Sequence, residues 1–96
     1  MAVIEKYLDR FLQSREPPKT FCPSEVARAL TSSELHALGV TDWRGIMSLV
    51  RLSAEERREQ GELEVLQKGN IVDLNTAIED IRGPIRLRRT VSTTDT

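Results

Sequence analysis

Seven side chains have the type and spacing to grip a polyanion. Arg44, Ser48 and Arg51 recur at three- and four-residue intervals, which puts them on one face of a helix. Lys68 sits in a Lys68-Gly69-Asn70 turn, and Arg86, Arg88 and Arg89 belong to the segment GPIRLRR. Guanidinium groups donate in a fixed fork that matches phosphate oxygens and the acceptor edge of guanine. The chemistry implied is contact with double-stranded nucleic acid: Lys68, Arg86 and Arg88 on the backbone, with Arg89 a further candidate on the same strand, and Arg44, Ser48 and Arg51 toward a groove.

The charge balance limits the strength of such contact. The chain carries 14 basic and 15 acidic residues for a net −1, unlike a strongly basic nucleic-acid binder. The charge is polarised, however: residues 1–81 hold ten basic and fourteen acidic groups, whereas residues 82–96 hold four arginines against Asp95 alone. The helix bearing Arg44 and Arg51 also carries Asp42, Glu55, Glu56 and Glu59, so its arginines have acidic neighbours at pairing distance along the helix.

Catalytic chemistry has little to build on. Cys22 at a helix start, His36 and Asp42 can be written as a nucleophile, base and orienter, but no spacing brings them together, and Cys22 between Phe21 and Pro23 reads as a buried structural residue. One cysteine and one histidine exclude a structural zinc site and an intrachain disulfide. The expectation is a non-enzymatic domain with no cofactor and no metal. No apolar run is long enough to span a bilayer and no signal-peptide pattern is present, so no membrane partner and a cytoplasmic or nuclear location are expected.

The elements that position the basic residues follow from periodicity. Val3, Tyr7, Leu8, Phe11 and Leu12 give one apolar face over 3–14, and Pro17-Pro18 prevents continuation. Thr20-Phe21 is extended. Pro23 and Glu25 open a second helix over FCPSEVARAL, and Thr31 with Glu34 has capping-box spacing for a short extra helix over 32–38. Asp42 caps a longer helix to about Gln60, with Trp43, Ile46, Met47, Val50 and Ala54 inward and Arg44, Ser48, Arg51, Glu55 and Arg58 on another face. Leu63 and Val65 alternate with Glu62 and Glu64 in a strand, Ile71-Val72 restarts extended structure, 75–81 is a loop with a helical turn, and Ile85 and Leu87 alternate with Arg86 and Arg88.

This order is that of an α+β winged helix-turn-helix with three main helices and a short antiparallel sheet. The domain is expected over 1–89, with 90–96 a disordered tail. Trp43 reads as core, leaving no aromatic to stack on a base. Leu52 and Leu66 fall off the apolar stripes, and Leu35, Leu38 and Val40 lie in the long link. Those residues supply the alternative function, a protein-docking or dimerisation module with a protein partner or a homodimer in place of double-stranded DNA.

The blocks FCPSEVARAL, DWRGIM–VR, G-E-L-E-V-x-Q-K-G-x-x-V-D and GPIRLR together resemble a family of small winged-helix proteins catalogued as domain of unknown function 3253. The resemblance covers about residues 3–89 and implies the fold; the family's name supplies no activity. Three departures stand out. The 31–41 link and the 74–82 segment are longer than the family's pattern, and Ser48 replaces a proline after Met47.

Overall fold

A computed structural model describes residues 2–90. Helix α1 spans Ala2–Ser14 and buries Ile4, Tyr7, Leu8 and Leu12, the face its periodicity marks. After the proline pair the chain extends, and Phe21 forms an isolated antiparallel bridge with Leu87 through two backbone hydrogen bonds of 2.9 and 2.7 Å. The Phe21 ring is fully buried and stacks on Phe11 at 5.4 Å.

Helix α2 (Pro23–Ala29) starts with proline, whose missing N–H costs nothing at that position, and the Glu25 carboxylate accepts the Cys22 N–H at 2.8 Å. Helix α3 (Ser32–Ala37) carries a complete capping box: Glu34 N–H donates to Thr31 Oγ1, and Glu34 accepts the Thr31 N–H at 2.8 Å. The extra helix packs down onto the molecule. Leu35 is buried, Leu38 and Val40 lie against the core, and Tyr7 Oη donates to Glu34 at 2.8 Å.

Asp42 caps the next element as expected, accepting the Arg44 N–H at 2.9 Å. Its first turn, Trp43–Ile46, is a 3₁₀ turn rather than α-helix; helix α4 proper is Met47–Glu59. Gly61, at φ +79°, ends the segment in the left-handed region.

Strands β1 (Leu63–Gln67), β2 (Asn70–Ile71) and β3 (Arg86–Arg89) form one antiparallel sheet in the order β2-β1-β3. Lys68 and Gly69 both have positive φ, 52° and 82°, the conformation a tight two-residue hairpin requires. Leu63 pairs with Arg89, Val65 with Leu87 and Leu66 with Arg86. Between β2 and β3 a 3₁₀ turn at Ile78–Asp80 lodges Ile78 in the core. The architecture is α+β, several helices with a small three-stranded sheet, and is compatible with a winged helix-turn-helix. No described helix is long and apolar enough to cross a membrane.

Four expectations change. Trp43 is half-buried rather than core, because the 3₁₀ turn sets its ring at the edge of the apolar cluster. Leu66 is buried, although it shares the outward face with Glu64, because Ile71 and Arg86 flank it across the sheet. Cys22 is half-buried, its sulfur beside Arg86. Arg58 leaves the polar face: it continues the Val50–Ala54 stripe and is 3% exposed. The tail expected over 90–96 lies outside the described residues except for Thr90, whose N–H and hydroxyl donate to Glu62 O and Gly61 O.

Candidate nucleic-acid interface

The fold divides the seven candidate residues into groups with different electrostatic surroundings. Arg44 is exposed on the 3₁₀ turn, with its guanidinium 4.6 Å from the Trp43 ring centre. Arg28, from the last turn of α2, stacks on the same indole at 4.5 Å. An aromatic face attracts a cation held over it. One half-buried tryptophan thus gathers two guanidinium groups at the α2–α4 junction, and neither is ion-paired among the described residues. Ser48 is exposed one turn further along, and Arg51 is half-buried beyond it.

Lys68 is exposed at the tip of the β1–β2 turn, held outward by its left-handed backbone. Arg86 is exposed but anchored: its guanidinium donates to Thr20 Oγ1 at 3.0 Å, Thr20 O at 3.1 Å and Cys22 Sγ at 2.8 Å. None of those partners is a carboxylate, so the guanidinium is oriented without a direct ion pair, although its charge also acts on nearby Glu25.

Arg88 and Arg89 differ from the rest. Arg88 forms a 2.6 Å ion pair with Glu64 directly opposite on β1. Arg89 is half-buried and donates to Leu12 O at 3.2 Å, at the C-terminal end of α1, where a cation complements the helix dipole. The run GPIRLRR therefore does not present one continuous basic face. Alternation along β3 separates Arg89 from Arg86 and Arg88, and a cross-strand carboxylate neutralises Arg88.

The helix arginines mostly do not pair with their own helix's glutamates. Arg57 reaches across to Glu5, Asp9 and Glu62 at 3.0, 2.6 and 3.1 Å, tying α4 to α1. Only Arg58 pairs locally, with Glu55 at 3.3 Å, and it also donates to Val72 O, Asp73 O and Thr76 O at 3.1, 2.6 and 2.7 Å. Glu55 in turn accepts the Ile78 N–H at 2.7 Å. The segment between β2 and β3 is thereby pinned to α4.

Three shifted groups mark where the helices are tied. Glu34 is held down to about 2 by the Thr31 N–H, then by the Tyr7 hydroxyl and Lys6. The same hydrogen bond, with burial and the carboxylate charge, pushes Tyr7 up. Burial acts to raise Glu25, but the Cys22 N–H and the Arg15 guanidinium outweigh it and keep the group below the usual carboxylate range.

No hydrogen bond among the described residues joins Cys22, His36 and Asp42. Cys22 meets Arg86, His36 is exposed on α3, and the Asp42 carboxylate caps the 3₁₀ turn. Among the described residues no group of three or more histidine, cysteine, aspartate or glutamate side chains is placed to hold a metal ion. Arg28 belongs to none of the basic faces that residue spacing marks. Its signal was position: the last turn of the helix before the link puts it beside whatever opens the next helix, which is Trp43.

No curated protein matches the chain. The model of the family described as "Protein of unknown function (DUF3253)" matches residues 1–90, and the chain belongs to that family.

Proposed function

We propose that this is a non-enzymatic winged-helix domain that binds double-stranded nucleic acid with modest affinity, through the junction of α2 with the N-terminal half of α4 and through the β1–β2 turn. The observation that carries the reading is the Arg28–Trp43–Arg44 stack, two unpaired guanidinium groups held at the exposed end of the helix that would enter a major groove. Arg28, Lys68 and Arg86 supply backbone contacts, and Arg44, Ser48 and Arg51 face the groove. Arg88 and Arg89 drop out of the contact set, because Glu64 neutralises one and α1 engages the other. The exposed Glu56 and Glu59 confine contact to the first half of α4 by repelling phosphate from the second half.

So few free cations imply a short footprint. Each phosphate contact contributes about −0.9 to the slope of log affinity against log salt, and non-specific binding at physiological salt lies at roughly 10⁻⁴–10⁻⁶ M. The test is fluorescence anisotropy of a labelled random-sequence duplex across a salt series. Arg44→Glu and Arg28→Glu should each weaken binding and flatten the salt slope by about one. Arg88→Gln, whose charge is already neutralised, should leave both nearly unchanged. Binding that responds to Arg88 and ignores Arg28 and Arg44 would overturn the assignment.

A further inference from the structure

A groove of about 500 Å³ runs between the outer face of α4 and the segment connecting β2 to β3. Ser48, Arg51, Leu52 and Ala77 line it, together with Glu59 and Glu79. An adjoining depression of about 370 Å³ shares Glu59 and Ala77 and adds Leu74. Leu52 is 60% exposed and Leu74 is 72% exposed. A single exposed leucine is unremarkable, but here each of two adjoining depressions, joined through Glu55, Glu59 and Ala77, is lined by an exposed leucine.

Both walls are fixed in the free protein. Arg58 holds three carbonyls of the far wall, and Glu55 holds its Ile78 N–H. A ligand therefore meets a formed surface and has little chain to order, which is where binding free energy is commonly lost. With Glu55 engaged inward, Glu59 and Glu79 remain as exposed carboxylates with no ion-pair partner among the described residues.

We propose that this groove docks a basic amphipathic segment of a partner protein, with apolar side chains on Leu52 and Leu74 and flanking Lys or Arg side chains on Glu59 and Glu79. Charge complementarity selects that occupant. A second copy in a twofold dimer would set the same acidic rim against itself, because a twofold interface pairs a patch with its own copy. The surface lies apart from the Arg28–Trp43–Arg44 stack, shares Ser48 and Arg51 with the nucleic-acid contact set, and does not depend on nucleic-acid binding.

The probe is a synthetic peptide of leucine and lysine at helical spacing, titrated into the isotopically labelled protein. Two control peptides replace lysine by glutamate, or leucine by alanine. The expected result is amide shifts confined to 48–59 and 72–80 with the Leu/Lys peptide alone. Leu52→Ser with Leu74→Ser should abolish those shifts. Glu59→Lys with Glu79→Lys should weaken binding about tenfold, the combined loss of two rim ion pairs. All four positions are exposed, so these variants keep the fold. Equal binding by either control peptide, shifts elsewhere, or no binding would overturn the proposal. A dimer in sedimentation that Leu52→Ser dissociates would assign the groove to a second copy and overturn it as well.

Discussion

Arg58 is a charged side chain at a core position, and its surroundings explain how the charge is tolerated. A buried guanidinium is stable only when its donors are matched, and here three backbone carbonyls and the Glu55 carboxylate receive them. Truncation to methionine strands those acceptors, so Arg58→Met should cost about 3–5 kcal/mol in urea-denaturation free energy. Arg58→Lys, which keeps the charge and loses the fork, should fall between the two. Glu34 makes a second residue-scale claim. Its carboxyl is held at about 2 against an ordinary 4.5, so its contribution is complete above pH 4.5 and is lost as pH falls toward 2. The stability difference between wild type and Glu34→Gln should be flat above pH 4.5 and shrink below it, as measured by urea midpoints across pH. The capping role of Glu34 was legible in the sequence because Thr31 lies three residues away. The role of Arg58 was half-legible: i+4 spacing from Ala54 places it on the buried stripe, but its charge argues for solvent until the distant carbonyls of 72–76 are known.

At the scale of elements, the sequence located every described helix and the order of the strands, because caps, prolines and apolar spacing are local signals. The long link between α2 and α4 is the main addition. Capped by its own box, it becomes α3 and sends Leu35, Leu38 and Val40 inward, which removes the apolar patch that an exposed link would offer. The approach of the link to α4 is close: a Cβ placed on Gly45 would lie 2.8 Å from Val40 Cβ and Cγ1. Gly45→Ala should therefore cost about 1–3 kcal/mol by overpacking, measured by chemical denaturation, and Val40→Ala should restore part of it. Thr31→Ala should cost about 1 kcal/mol in the same measurement through loss of the cap. What remained illegible at this scale was pairing across elements. The burial of Leu66 depends on its neighbours on β2 and β3, and the half-exposure of Trp43 depends on a 3₁₀ turn where α-helix was expected. The sharing of Trp43 by Arg28 and Arg44 required the two helices to be placed.

For the whole molecule, charge along the chain and charge in space diverge. The last fifteen residues hold a surplus of arginine, which points to the returning strand as the basic surface. Folding assigns Arg88 to Glu64 and Arg89 to α1, and among the described residues leaves Arg28, Arg44, Arg51 and Lys68 without an ion-pair partner around the junction and the turn, with Arg10, Lys19 and Arg82 elsewhere. The opposite half of α4 is acidic and grooved, so a single helix separates two surfaces of opposite character. Association with a polyanion should therefore be local, with a shallow salt slope set by its few phosphate contacts, in keeping with a chain of net charge −1. The most direct measurement is an amide chemical-shift titration of the labelled protein with a random-sequence DNA duplex, at low salt and at near-physiological salt. Shifts centred on Arg28, residues 43–51 and Lys68, weakening as salt rises and sparing 55–59, are expected. An absence of shifts at low salt, or shifts centred on the acidic groove, would contradict nucleic-acid binding by this domain.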